Sequence, residues 1–376
     1  MVDALHRLGC HGLMSSSRLS SFGSLFRTAG FALAWLVVGC ASGPATGAPP
    51  AVPETSAAAT SSERTGESAS VGRRAASAEP DLLEDGDGQP LVLWSVEQGG
   101  IVRGYLHGSV HVLPGAQVGK QPRVDAAYED SDVLVVEVDV AVADPSLQLL
   151  TTQLGMYPEG ESLTAHVPEP LLTDVLAEVK RYQLPLSAAL RMRPWLLAVT
   201  LTMLGVNEEG FSQEHGIDRR FLATAHSAAA RKEVVALETA ESQLRMFADL
   251  PETEQVLFLE DALLRSDGRE NLQAILQAWV DGDIPGLSAR LFAPLREDPT
   301  LRPLYETFYF KRNRAMANRL VELFASGNTH FVVVGAGHLV GEDSLPALLL
   351  ARGFTVRRLR ASPAAPAGSA AATARQ

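Results

Sequence analysis

Two short segments of the chain carry the same pattern, in which a histidine stands three positions after a glycine. The first is Gly108-Ser109-Val110-His111, which follows the apolar stretch 101–106, and the second is Gly335-Ala336-Gly337-His338, which follows the stretch 331–334. Both apolar stretches are typical of buried strands. Each histidine is therefore predicted just past a strand end, beside glycines that let the backbone turn and a ligand approach closely.

A third predicted strand, 133–138, carries Glu137 into similar surroundings. Two imidazoles and one carboxylate, with positions left open for water, suit a divalent ion such as Mn, Co, Zn or Fe. Such an ion would polarise a carbonyl group, which is the chemistry of hydrolysis. We therefore predict His111, His338 and Glu137 as metal ligands and catalytic residues. The sequence leaves open whether Glu137 is a ligand or the general base.

Other polar residues near the predicted strand ends have two interpretations each. Glu238 ends the predicted strand 232–237, where it would face a cleft, but it also precedes Thr239, a good helix cap. Arg312 belongs to a basic cluster, 311–314, for which a solvated helix face is the default and anion binding the alternative. His107 is predicted as a half-buried strand residue and His330 as a surface residue.

The N-terminal segment has the order of a bacterial signal peptide. Arg18 and Arg27 precede an apolar stretch, 31–38, that is too short to span a bilayer, and Gly39 and Cys40 follow it. The cysteine after a small residue resembles a lipobox. We therefore predict a lipoprotein signal peptide over 1–39, lipidation of Cys40, and a lipid-anchored protein of the bacterial cell envelope. The residue after it, Ala41, favours the outer membrane facing the periplasm.

Composition excludes several classes of function. The formal net charge of −12 argues against nucleic acid as a partner, because phosphate binding needs a basic surface. The chain has 2 cysteines, Cys10 in the predicted signal peptide and Cys40 at the predicted lipidation site. A mature domain without further thiols has no cysteine nucleophile, thiolate metal site or intrachain disulfide.

The chain divides into four segments by composition. After the signal peptide, residues 40–88 are rich in Ala, Pro and Ser and have almost no large apolar side chains, so we predict a flexible tether. The segment 362–376 is a similar low-complexity tail and is predicted to be disordered. A single folded domain is predicted over 89–361.

Within the folded domain, strand patterns lie near both ends and helical patterns lie between them. Strands are predicted over 91–96, 101–110, 133–138, 232–237, 330–335 and 355–359, and helices over 171–182, 188–204, 216–230, 240–247, 253–265, 270–280, 304–324 and 344–351. This arrangement predicts an α/β fold with a mixed central sheet built from the two halves of the domain and a large helical middle region. The pairing would bring His111 and His338 together.

Several of these segments together resemble the TraB/GumN family, which includes the Tiki metalloproteases. The resemblance rests on segments in the family order, from Tyr105 to His111, Val135 to Asp139, Gly216 to Asp218, Val235 to Thr239 with Gln243, Arg312-Asn313, and Val334 to Gly341. It departs in having Ser109 where threonine is common and His107 where an apolar residue is commoner.

The resemblance implies a metal-dependent, peptidase-like site. His111 and His338 match the paired Gly-x-x-His histidines and Glu137 matches the acidic position, while Gly108, Glu238, Arg312 and Gly335 are further candidate site residues. Two classes of function follow from it. One is a metal-dependent hydrolase of peptides or related amides, and the other is a non-catalytic protein that binds a peptide or small molecule in the same cleft.

Overall fold

A mixed sheet of seven strands forms the centre of the protein. The computed structural model describes residues 83–85, 88–115, 121–141, 145–227, 229, 232–263, 268–297 and 299–361. The predicted signal peptide, Cys40, most of the tether and the tail lie outside these residues. The strand order is β1-β9-β2-β3-β8-β5-β7, where the strands are β1 (Leu83–Asp85), β2 (Pro90–Gln98), β3 (Ile101–Ser109), β5 (Val133–Val136), β7 (Glu233–Ala236), β8 (His330–Gly335) and β9 (Thr355–Arg360). The predicted α/β class with a mixed sheet is confirmed.

The sheet begins earlier in the chain than the predicted domain boundary at residue 89. Strand β1 lies in the stretch predicted as tether and pairs in parallel with β9. Strands β2 and β3 form the predicted antiparallel hairpin, and Gly99 and Gly100 connect them with φ values of 61° and 78°. Positive φ at both residues of a two-residue turn matches the right-handed twist of the strands and explains the Gly-Gly pair.

Parallel pairing of β3 with β8 joins the two halves of the domain. Its register places Gly108 opposite Val334 and Ser109 opposite Gly335. On its other side, β8 pairs in parallel with β5, where Val136 lies opposite Val333. The carboxyl ends of the three strands therefore meet at one edge of the sheet, and both histidine segments and Glu137 follow directly.

Thirteen α-helices are described, and most lie between β5 and β8. They are α1 (Pro122–Glu129), α2 (Pro145–Gly155), α3 (Glu169–Arg181), α4 (Leu186–Ala189), α5 (Pro194–Glu208), α6 (Ile217–Ala225), α7 (Ala240–Ala248), α8 (Glu252–Leu263), α9 (Gly268–Val280), α10 (Ile284–Glu297), α11 (Arg302–Tyr305), α12 (Lys311–Phe324) and α13 (Leu345–Ala351). A two-stranded sheet pairs β4 (Leu113–Pro114) with β6 (Phe211–Ser212). No described helix is long and apolar enough to cross a membrane.

Two of the predicted helices are interrupted. The helix predicted over 188–204 is divided into α4 and α5, because Pro194 restricts the preceding residue to an extended conformation and starts a new helix. The helix predicted over 304–324 contains a π-helical turn, Glu306–Phe310, between α11 and α12. Such turns are rare and are frequent at functional sites, because they shift the angular position of the side chains that follow.

The core excludes water from more polar side chains than the sequence suggested. His330 is 2% exposed, so its prediction as a surface residue is wrong, and it packs against Phe324. His107 is fully buried rather than half-buried, and its Nδ1 lies 3.0 Å from the carbonyl oxygen of Val92. Central strands of a sheet covered by helices on both faces bury their side chains in both directions, which an alternating pattern does not show.

Candidate metal-binding and catalytic site

The residue Gly335, at the end of β8, marks the point where the predicted site residues converge. A Cβ atom built there would lie 3.3 Å from Nε2 of His111, 3.6 Å from Oε2 of Glu137 and 3.6 Å from Cδ2 of His338. Glycine keeps this space open. The structure therefore brings the three side chains together around one point, although their positions in the chain span more than half of its length.

The ring of His111 is oriented by a carboxylate. Its Nδ1 lies 3.0 Å from Oδ1 of Asp218, in the first turn of α6, and the two side chains are 14% and 16% exposed. Because a carboxylate only accepts hydrogen bonds, Nδ1 carries the proton and Nε2 is the atom toward Gly335. Burial alone would lower the pKa of His111, but the charge and hydrogen bond of Asp218 raise it above its ordinary value.

The ring of His338 is oriented by an amide. The side-chain nitrogen of Asn313 donates to the carbonyl oxygen of Asp343 at 2.9 Å, so its oxygen is left to accept from Nδ1 of His338. Nε2 of His338 is therefore unprotonated in the neutral ring. Burial, followed by the charge of Arg312, lowers the pKa of His338 to about 3.

The carboxylate of Glu137 is held by donors on both oxygens. Arg312 and Gln243 donate to Oε1, the latter at 2.8 Å, and the backbone N–H of Gly335 donates to Oε2 at 3.2 Å. Oε2 also lies 3.7 Å from Nε2 of His338. Although burial favours the neutral acid, Arg312 and the two imidazoles lower the pKa of Glu137 to about 2.

The spacing of these segments along the chain agrees with a known family. A sequence model of the TraB/PrgY/gumN family matches residues 92–358. The chain belongs to the TraB/PrgY/gumN family. No curated protein and no solved structure matches the chain. In this TraB/PrgY/gumN protein the match runs from β2 to β9 and includes every residue of the site described above.

The residue Arg312 is the centre of a buried ionic network, and its default interpretation as part of a solvated helix face is wrong. Its guanidinium group donates to Oε1 of Glu238 at 2.8 Å and to Oε2 at 2.6 Å, in addition to Glu137. The carbonyl oxygen of Phe308, in the π-helical turn, accepts from Nη1 at 3.0 Å. Arg312 is 8% exposed, so one buried cation pairs with the buried carboxylate of Glu137 and the partly buried carboxylate of Glu238.

Both interpretations of the segment that contains Glu238 describe part of it. Thr239 caps α7 through a reciprocal pair of hydrogen bonds with Ser242. Glu238 itself takes no part in that cap. Its carboxylate binds Arg312 and accepts from Gln243 at 3.1 Å. Glu238 therefore belongs to the site, one contact away from Glu137.

The residue Gly108 lets the first histidine segment pack tightly. A Cβ atom at this position would lie 2.5 Å from Cγ1 of Val92 and 3.2 Å from Cα of Ala336. Its carbonyl oxygen accepts from Nε1 of Trp279, in α9, at 2.8 Å. The strand end before His111 is thus held between β2, the second histidine segment and α9.

Three residues that hold the site together carried no site role in the sequence prediction. Asp218, Gln243 and Asn313 lie in the family segments, but nothing in their local spacing indicates which side chain they bind. Arg312 and Asn313 are adjacent in the helix that precedes the second histidine segment. This position is the feature of the sequence that could have indicated a role for both residues at the site. Their role depends on which way the π-helical turn rotates that helix.

The side chains of His111, His338 and Glu137 are of the kinds that bind divalent ions. Toward Gly335, His111 presents Nε2 and His338 presents Cδ2. Each imidazole gives Nδ1–H to an oxygen of Asp218 or Asn313, as metal-binding histidines do. Among the described residues, no three His, Cys, Asp or Glu side chains are close enough to hold an ion in this conformation. Nη1 of Arg312, 3.2 Å from Nε2 of His338, already uses that lone pair. The donors fit an ion in type, and binding would require Arg312 to release Nε2 of His338.

Proposed function

We propose that this protein is a metal-dependent hydrolase of peptides or related amides. The observation that carries the proposal is the convergence of Nε2 of His111, Oε2 of Glu137 and the ring of His338 around Gly335. His111, His338 and Glu137 would hold the ion, which is of the Mn, Co, Zn or Fe class. When bound, it would act as a Lewis acid toward the amide carbonyl.

The reaction adds water across the amide. The water oxygen forms a bond to the acyl carbon, the carbon–nitrogen bond breaks, and one water proton moves to the leaving nitrogen. The side chains of Asp218 and Asn313 keep the two imidazoles in the tautomer in which Nε2 is unprotonated. Arg312 keeps Glu137 charged, and the apolar walls around the site limit the access of bulk water.

The contacts of Glu137 favour a role as ligand over a role as general base. Arg312, Gln243 and the N–H of Gly335 donate to its two oxygens, and each of these bonds stabilises the charged form. A carboxylate held in this way is a poor proton acceptor and a good anionic ligand. Glu137→Gln should therefore lower both metal affinity and turnover.

A second candidate function is supported by Arg312. Because its guanidinium group contacts both Glu137 and His338, Glu137 has a cationic partner without an ion. A non-catalytic protein that binds a peptide or small molecule in this cleft would keep that arrangement. The two candidates differ in whether the purified protein holds a stoichiometric metal ion.

Metal analysis separates the two candidates. The protein is purified without chelator or affinity tag, and its metal content is compared with that of His338→Ala. The hydrolase proposal expects about one ion per chain, metal-dependent cleavage of a peptide mixture, and loss of both in the variant with an unchanged circular dichroism spectrum. A folded wild-type protein that neither holds an added ion nor cleaves peptides would favour the binding function.

We also propose that the hydrolase is anchored to the cell envelope by lipid on Cys40, facing the periplasm from the outer membrane. The support is the order of basic, apolar and small residues before Cys40 and the alanine after it. Wild-type protein should then partition with membranes and into detergent, and Cys40→Ser should release it or block its processing. Equal membrane association of the two would contradict lipid anchoring.

A further inference from the structure

A small apolar cavity lies against the two histidines. Its walls include Ile275 and Trp279 of α9 and Leu287 and Leu291 of α10. All four walls are at most 5% exposed, so the cavity is built into the packed interior. Its floor is formed by the two Gly-x-x-His segments themselves.

The cavity adjoins the space at Gly335 where the site residues converge, which is called the convergence point below. His111, Gly335 and His338 line the cavity, and they are also the residues that surround the space at Gly335. The ring of Tyr309, from the π-helical turn, completes the wall and lies 5.6 Å from the ring of His338. If an amide bond lies at the convergence point, the side chain of a residue next to that bond can therefore reach the cavity.

The chain fixes the walls of the cavity to the site. Nε1–H of Trp279 donates to the carbonyl oxygen of Gly108 at 2.8 Å, which ties α9 to the first histidine segment. A Cβ atom on Gly337 would lie 2.7 Å from Cε1 of Tyr309, so only glycine allows the ring to pack there. The cavity is thus held in a constant position relative to both histidines.

The size and chemistry of the cavity select its occupant. Its volume is about 20 Å³, which holds one group the size of a water molecule or a methyl group. A separate pocket of about 640 Å³ follows the first histidine segment in the chain and is lined by charged residues such as Glu214 and Arg219. The pocket at the two histidines is, by contrast, small and apolar.

We infer that the cavity is a specificity pocket for a small apolar side chain, of the size of alanine, next to the amide bond that is cleaved. This inference rests on the proposed hydrolase function and adds the class of substrate. Pocket residues of this kind commonly discriminate by a factor of ten or more per methylene group, roughly 10- to 200-fold.

The test uses a randomised mixture of blocked peptides, with the protein supplied with Mn, Co, Zn or Fe and cleavage sites read by mass spectrometry. We expect a small apolar residue at one constant position beside the cleaved bond, enriched about tenfold over leucine and over aspartate. Leu291→Ala should shift the preference to larger apolar residues, and Leu291→Phe should abolish the preference for alanine over glycine. Leu295→Ala, in the same helix but outside the cavity, should leave the preference unchanged.

Failure of this inference can be distinguished from failure of the proposed function. Cleavage without a small apolar preference, or with one that both Leu291 variants retain, would overturn the pocket and leave the hydrolase proposal standing. If no peptide is cleaved, saturation-transfer NMR with N-acetylalaninamide and N-acetylaspartamide decides. Transfer to the alanine methyl group that is lost in Leu291→Phe would support the pocket, and no selective transfer would overturn it.

Discussion

The two Gly-x-x-His segments share a sequence pattern but lie in different electrostatic surroundings. His111 pairs with a carboxylate and is partly accessible, and its pKa is raised. His338 is fully buried, pairs with an amide and contacts the cation of Arg312, and its pKa is lowered. One motif therefore supplies one imidazole that is readily protonated and one that stays neutral, because the partners of each ring lie elsewhere in the chain.

The largest effect should come from the cation that distinguishes the second segment. Arg312→Met leaves the buried carboxylate of Glu137 and the partly buried carboxylate of Glu238 without their shared counter-charge. We expect the free energy of unfolding to fall by about 3–5 kcal/mol, measured by urea denaturation. Arg314→Met is the matched control, since Arg314 is 41% exposed and its ion pairs are superficial, and it should cost at most about 1 kcal/mol. Equal losses of unfolding free energy in the two variants would show that the buried ion pairs of Arg312 stabilise the protein no more than the superficial ones of Arg314.

The effects of burial and of a bound cation on a histidine pKa can be separated with His107. It is as buried as His338, but its ring contacts the carbonyl oxygen of Val92 instead of a guanidinium group. Burial, chiefly, lowers the pKa of His107 to about 4 from 6.5. The unfolded chain then binds a proton on His107 more tightly than the folded protein does. Neutral His107 therefore contributes its full stability to the fold above pH 6.5, and this contribution is lost as the pH falls toward 4. We expect a loss on the order of 3 kcal/mol across this window.

The measurement is the free energy of unfolding of metal-free protein between pH 7 and pH 4, for wild type and for His107→Gln. Glutamine keeps a donor for the carbonyl oxygen of Val92 but does not titrate. The difference between the two curves should shrink as the pH falls, because only the wild type loses this contribution. Parallel curves would contradict a lowered pKa for His107.

Exchanging the two ring partners should move the properties of the histidines toward each other. Asp218→Asn should lower the pKa of His111, and Asn313→Asp should raise the pKa of His338, as followed by histidine ¹³C NMR titration of metal-free protein. Each change should also weaken metal affinity by about 10- to 100-fold, as altered partners of metal-binding histidines do. An unchanged titration of His111 in Asp218→Asn would show that Asp218 does not raise the pKa of His111.

The smallest expected effect is the difference in stability between alanine variants of the two motif glycines, Gly335 and Gly108. Gly335→Ala places a methyl group at ordinary contact distance, 3.6 Å, from Glu137 and His338, and at 3.3 Å from Nε2 of His111, which must move by a few tenths of an ångström. The free energy of unfolding should change by less than about 1 kcal/mol, while the site is filled and metal binding is weakened. Gly108→Ala meets Val92 at 2.5 Å and should cost about 1–3 kcal/mol. Thermal denaturation compares them, and a larger loss in Gly335→Ala would mean that the space at Gly335 is needed for folding.

Local patterns predicted the strands well and the helices less well. The hairpin of β2 and β3 and the strand β8 follow from apolar runs bounded by glycine, which depend on neighbouring residues alone. Helix α10 was not predicted, because Pro285 and Pro294 resemble loop signals, although a proline is tolerated in the first turn of a helix. The π-helical turn before α12 was also missed, since no residue in 306–310 distinguishes it from an ordinary helix.

The sequence by itself determined which residue types are available for chemistry and that they follow strand ends. It also indicated that strands from the two ends of the domain share one sheet, because strand patterns lie near both ends and helical patterns lie between them. Only the tertiary structure decided that His111 binds Asp218, that His338 binds Asn313, and that Arg312 is buried. These contacts join residues far apart in the chain. They depend on the register of β3 against β8 and on the rotation of α12, which no local pattern encodes.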